Sequence, residues 1–172
     1  MAAGKKPIAK QPKGFATLQG HPVKVELFTE HASIQPGGRT RVGVYFDIQQ
    51  GWHIYAEDPG DAGLPTKVTW KAPAAVSFGS LNWPKAQQFL DPGNIKTFGY
   101  TDTLMLYSSI TYVPLFNLDQ KYPDLQISAN IEWLACKEVC LPGSVDVSLS
   151  LPVSATPPAP SQHADLFSHA AK

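Results

Sequence analysis

The chain has 172 residues, is 43% hydrophobic and 16% charged, and balances 14 basic against 14 acidic side chains. That length suits one domain with a sizeable core. A net charge of zero argues against nucleic-acid binding, which wants a basic stripe; no run of about 20 apolar residues offers a membrane span, and no polybasic amphipathic helix offers a membrane-surface anchor.

Sixteen prolines and thirteen glycines predict many turns and few long helices. The start, Met1–Pro7, lacks the apolar core of a secretory signal. It fits a cytosolic protein, or an exported one whose signal has been removed or replaced. Residues 1–20 are Lys-rich and interrupted by Pro7 and Pro12, which predicts a loose arm with Phe15 and Leu18 tucked onto the domain. Val23–Phe28 reads as a strand and Ile34–Arg39 as the turn after it. In Arg41–Gln49, Val42, Val44, Phe46 and Ile48 alternate with polar residues, the period-two pattern of a half-buried strand. Gly51–Thr66 differs in character: dense in aromatics and turn formers, too polar for core and too aromatic for an idle loop.

Val68–Trp70 begins another short strand, ended by Pro73, and Val76 with Phe78 marks a further one. Leu81–Leu90 carries Trp83-Pro84 and leads into a second irregular stretch, Asp91–Tyr100. Leu104, Leu106 and Ser108 on one parity, with Met105, Tyr107 and Ser109 on the other, predict a strand apolar on both faces, continued or bent at Thr111–Pro114. Leu115–Pro123 reads as a connecting loop. Ile127–Trp133 and Val145–Val153 each alternate again, and the two cysteines, Cys136 and Cys140, sit between them. About eight closely spaced strands without helical repeats predict an all-β, antiparallel β-sandwich of the immunoglobulin-like kind over 21–153. Residues 154–172 open on a Pro-rich stretch, expected as a semi-rigid linker leading toward a missing membrane domain. His163–Ala171 is expected to form one or two helical turns.

The connection between the last two strands is short enough to be a hairpin. Opposed residues on antiparallel strands have Cα atoms about 4.5–5.5 Å apart, within the range of a disulfide. Closing a loop of about five residues contributes roughly 2 kcal/mol, against ~4.7 for a loop of 100. A tight, weakly stabilising pair at a turn suits a bond made and broken repeatedly. A structural disulfide, a metal-binding pair and inert thiols remain alternatives, because the spacing is not the C-x-x-C of thioredoxin-like folds. Two thiolates could serve Cu(I), although two methionines and no His-rich tract make that a poor site. No constellation points to a resident metal or cofactor: there is no HExxH, no second cysteine pair and no glycine-rich phosphate loop.

Five motifs in order, Gly51-Trp-His-Ile-Tyr55, Pro59–Thr66, Trp83-Pro84, Phe98-Gly-Tyr100 and Trp133–Gly143 (WLxCxxxCxPG), resemble one family. It is the amino-terminal periplasmic domain of the thiol:disulfide interchange protein DsbD, including its relatives linked to copper tolerance. Better-known members have a longer insert between the cysteines, so the chain looks closer to the copper-tolerance branch. The resemblance implies a periplasmic protein-disulfide reductase module joined to the membrane through other domains. A thioredoxin-like domain of the same full-length protein would pass it electrons. Its own partners would be periplasmic disulfide isomerases or cytochrome c maturation thiol proteins. Cys136 and Cys140 would carry the exchange, Cys140 as the sulfur joined to partners and Cys136 as the resolving one. The resemblance also implies a capping loop, with Asp91–Tyr100 as its counterpart. Phe98 and Tyr100 supply rings able to lie over the disulfide, and Gly93 and Gly99 could serve as hinges. Trp52, His53 and Tyr55 would line the same surface, unless Trp52 belongs to the core; His53 reads as a plain surface histidine or as a group able to assist proton movement. Lys137 would favour a thiolate and Glu138 oppose it.

Overall fold

A computed structural model describes residues 13–14, 20–115 and 124–170. Two four-stranded sheets face each other. In the first, β1 (Lys13–Gly14), β11 (Cys140–Leu151), β10 (Leu125–Cys136) and β5 (Lys67–Lys71) lie in that order. In the second the order is β2 (Val23–Thr29), β3 (Arg39–Ile48), β9 (Thr103–Tyr112) and β6 (Val76–Phe78). A third, smaller sheet orders β4 (Ile54–Gly60), β8 (Ile95–Tyr100) and β7 (Gln87–Asp91). All the strand pairs are antiparallel. The domain is an immunoglobulin-like antiparallel β-sandwich.

The core follows the alternation in the sequence. Odd-numbered residues of β10 and β11, such as Ile127, Ile131, Val147 and Leu149, are buried against Val25, Val44, Phe46 and Leu106 of the facing sheet. Trp133 and Phe46 meet across the sandwich edge to face, ring centroids 6.2 Å apart, an arrangement that aromatic pairs prefer. At the side of the sandwich Trp70 stacks on Phe78 at 5.3 Å and donates its indole N–H to Ser108 Oγ at 3.1 Å.

Three stretches depart from the sequence-based expectations. The segments expected as irregular supply β4, β8 and the last residue of β7, the rest of which comes from Leu81–Leu90. In the second of these the turn formers are compressed into Pro92-Gly93-Asn94, where Gly93 (φ 89°) and Asn94 (φ 60°) both take positive φ, leaving the flanks free to pair. The expected linker is packed down on the domain. Ala32 N–H donates to Ala159 O, Ser161 N–H to Glu30 O and Ser154 N–H to Ile34 O. Helix α1 (Ala164–Ala170) then places Phe167, fully buried, against Phe28 and Met105 on the outer face of the second sheet. This packing explains why β9 is apolar on both parities: Leu104, Leu106 and Ile110 face the core, and Met105 faces the helix. Lys13 and Gly14, within the expected loose arm, pair with Asp146 and Val145 of β11. The expectations for Phe15, Leu18 and most of the 115–123 loop lie outside the described residues. Among the described residues no helix is long and apolar enough to cross a membrane.

Candidate functional site

Cys136 is the last residue of β10 and Cys140 the first of β11, and the register sets them directly opposite each other. Their sulfurs are joined, with the Cα atoms 4.1 Å apart. Lys137, Glu138 and Val139 make the turn, all exposed, and Lys137 N–H donates to Val139 O at 2.9 Å. The bond lies outside the hydrophobic core. Along β10 the odd residues face inward, so Cys136 shares the outward parity of Glu132, which is exposed, and Asn130. Cys136 is nevertheless only 3% exposed, whereas Cys140 is exposed. The pair therefore offers one sulfur-bearing residue to solvent and shelters the other.

The shelter comes from the entrance to β4. His53 forms a β-bridge with Cys136: its N–H donates to Cys136 O at 3.0 Å, and Cys136 N–H donates to His53 O at 2.9 Å. The His53 ring stacks on Phe89 of β7 at 4.7 Å and meets Tyr55 edge-on at 5.2 Å, with Nε2 3.3 Å from the Tyr55 hydroxyl. Burial pushes the His53 pKa down, partly opposed by the Asp91 carboxylate; burial, then Asp91, pushes Tyr55 up. Lys137 lies over Gly51, where an added Cβ would come within 3.3 Å of its Nζ. Leu64, Val139 and Leu141 are exposed apolar side chains, 60%, 62% and 38% accessible. Val139 and Leu141 flank Cys140 in the chain.

Phe98 and Tyr100, expected as the rings over the sulfurs, take other places. β8 alternates, so both lie on the face opposite Thr97 and Gly99; Tyr100 is buried in the core and Phe98 packs against it. Tyr100 donates its hydroxyl to Pro84 O at 2.7 Å, and burial, with Glu57 adding, pushes its pKa up to about 12. Gly99 opposes both Tyr55 of β4 and Gln87 of β7. An added Cβ there would run into the Ile54 carbonyl, so this glycine permits close strand approach. The ring that reaches His53 is Phe89, which sequence reasoning passed over. Its position two residues before the Asp-Pro-Gly turn, on the parity of Gln87 and Asp91, was the available signal. Glu138 sits exposed at the tip of the turn. Among the described residues no group of three or more His, Cys, Asp or Glu is placed to hold a metal ion.

The sequence model of one family, described as "Thiol:disulfide interchange protein DsbD, N-terminal", matches residues 22–152. The chain belongs to this DsbD amino-terminal family. Among solved structures, the N-terminal periplasmic domain of ScsB from Proteus mirabilis shares the fold, with TM-score 0.59 and 21% identity over 92% of this chain and 57% of that one. The chain thus spans a little over half the length of that relative. The reduced N-terminal domain of DsbD from Neisseria meningitidis gives TM-score 0.38 and 19% identity, over 78% of this chain and 89% of that one. No curated protein matches. As a DsbD-type thiol:disulfide interchange domain, the chain carries its cysteine pair on a hairpin end.

Proposed function

We propose that this chain is a periplasmic protein-disulfide reductase module, receiving electrons from a thioredoxin-like domain and passing them to partner proteins by dithiol–disulfide exchange. The observation that carries the reading is the asymmetry of the pair: Cys140 exposed, Cys136 only 3% exposed, both outside the core. Exchange needs one sulfur that a partner can reach and one that resolves the mixed disulfide. In the reduced module the Cys140 thiolate attacks a partner disulfide, forming a Cys140–partner bond and releasing one partner thiolate. Cys136, as thiolate, then attacks Cys140 Sγ, restoring the internal bond and releasing the second partner thiolate. The module is oxidised by two electrons and the partner reduced by two. A thioredoxin-like dithiol reverses the sequence to recharge it.

The family match supports thiol:disulfide interchange. The periplasmic setting rests on the relative described as a periplasmic domain. Disulfide isomerases and cytochrome c maturation thiol proteins fit as the partners reduced. The β7–β8 hairpin, with Phe89 against His53, fits a flap screening the pair from foreign thiols.

Trapping tests the reading. Cys136→Ser leaves Cys140 to attack without resolution, so this variant should accumulate mixed disulfides with periplasmic thiol proteins, identifiable by mass. Cys140→Ser should accumulate none. Equal trapping by the two variants, or normal partner reduction by Cys140→Ser, overturns the assignment.

A further inference from the structure

His53, Cys136 and Cys140 form one row across three adjacent strand segments. Cys136 is opposed by Cys140 on one side and by His53 on the other. Directly opposed residues of an antiparallel pair carry their side chains on the same face. A pair that exchanges both backbone hydrogen bonds, as His53 and Cys136 do, has Cα atoms about 5.5 Å apart. The imidazole therefore stands on the sulfur-bearing face, on the sheltered side of Cys136 and away from the exposed Cys140. Its Nε2 is engaged with the Tyr55 hydroxyl at 3.3 Å, and Phe89 holds the ring plane by stacking. Nδ1, the ring nitrogen nearer the backbone, has no hydrogen-bond partner among the described residues.

We propose that His53 is the proton acceptor for the Cys136 thiol when the mixed disulfide is resolved. This rests on the exchange reading above and adds a residue to it. With Cys140 joined to a partner, Cys136 is a thiol on a residue almost closed to solvent, and only its thiolate can attack. Breaking the internal bond frees Cys136 to rotate about χ1, so that Sγ can swing from Cys140 toward His53. The imidazole takes the Cys136 proton, directly or through one water. The thiolate attacks Cys140 Sγ, the Cys140–partner bond breaks, and the departing partner thiolate carries the electron pair. The imidazolium then returns its proton to solvent or to that thiolate.

Such a role requires a neutral imidazole near pH 7, and burial holds His53 in that state despite the opposing Asp91 carboxylate. The other titratable groups disposed around it are Tyr55, the cysteines themselves and Lys137, which reaches over Gly51.

The test is single-turnover reaction of the reduced full chain with glutathione disulfide, quenched with acid. Mass and released glutathione are followed from about pH 4 to 8.5, a range carried below that of an ordinary imidazole because burial pushes the His53 pKa down. His53→Gln removes the titrating ring; His53→Phe removes it while keeping an aromatic surface for Phe89. In both variants the Cys140–glutathione adduct should form within about twofold of the wild-type rate, and its resolution at pH 7 should slow by about tenfold or more. Wild-type resolution should follow an imidazole titration; in the variants it should rise steadily with pH instead. Resolution within about twofold of wild type across the whole range, in either variant, overturns the assignment. A wild-type protein that releases no glutathione and stays reduced at every pH removes the exchange reading itself, and this proposal with it. That result appears without any variant, so the two failures are separable.

Discussion

Removing the Cys136–Cys140 bond should cost the fold little. The two residues are the last opposed pair of a ladder that runs from Leu125↔Leu151 to the turn, so the strands are already in register without the sulfur link. The covalent loop closes over a sequence separation of 4. For a loop of about five residues the chain-entropy relation gives about 2 kcal/mol. For a domain in the range of about 150–250 residues, each kcal/mol moves Tm by about 2–4 °C, so the fall should be about 4–8 °C. A bond tying distant strands through a loop of about 100 residues would contribute about 4.7 kcal/mol, or about 9–19 °C on the same scale. Calorimetry of the oxidised protein, the reduced protein and the doubly substituted Cys136→Ala, Cys140→Ala chain separates the two. A fall beyond about 15 °C, or loss of a cooperative transition on reduction, would refute the reasoning.

Phe167→Ala should destabilise the domain by about 3–5 kcal/mol in urea unfolding, because the ring is fully buried between the tail helix and the second sheet; a loss below about 1 kcal/mol would mean that the tail is not part of the folded unit. Gly99→Ala should loosen β4, β7 and β8 by driving a methyl into the Ile54 carbonyl. Hydrogen exchange at residues 87–100 should then speed up, while β10–β11 amides keep their protection; unchanged exchange at 87–100 counts against the close approach. Glu30 accepts hydrogen bonds from Arg41 Nε at 2.8 Å and Nη2 at 2.7 Å, and those bonds hold its carboxyl below the ordinary value of 4.5. Its stabilising contribution is therefore full above that value and lost as pH falls through the lower, folded-state value. Glu30→Gln should flatten the slope of Tm against pH in that acid window, and parallel slopes for the two proteins would contradict it.

The fold was legible because its strands are written in period two. Ile127, Ala129, Ile131 and Trp133 point inward as their spacing says, and the cysteines fall at the hairpin end as the short connection requires. Reach across the sheet was not legible. The parity of Met105 and Tyr107 announced a second apolar face on β9, but only the tertiary placement of Phe167 shows what covers it. The Pro-rich composition of 154–161 was read as a linker because local stiffness says nothing about docking. Its hydrogen bonds to Ala32, Glu30 and Ile34 are long-range and leave no local trace. At the site, Cys136, Cys140, His53 and Tyr55 are brought together, whereas Phe98 and Tyr100 face the core. One residue of strand parity separates a flap ring from a core ring, and the turn at 92–94 that sets this parity was read as part of an irregular stretch.

Placing the disulfide on the outer face of an already paired hairpin has a physical consequence for its work. If the bond crossed the core, each reduction would relax the packing on which the sandwich depends, and redox turnover would be coupled to unfolding. Here the core residues behind it, Trp133, Ala135 and Val145, are buried on the opposite parity, and their contacts do not pass through sulfur. The cost of opening the bond is confined to the turn 137–139 and to whatever neighbours Cys136 on its sheltered side. That neighbour is His53, fixed by two backbone hydrogen bonds that do not depend on the redox state of the sulfurs. The scaffold can therefore stay rigid through the cycle while Sγ of Cys136 moves between two flanking residues of the same row, Cys140 when oxidised and His53 when reduced.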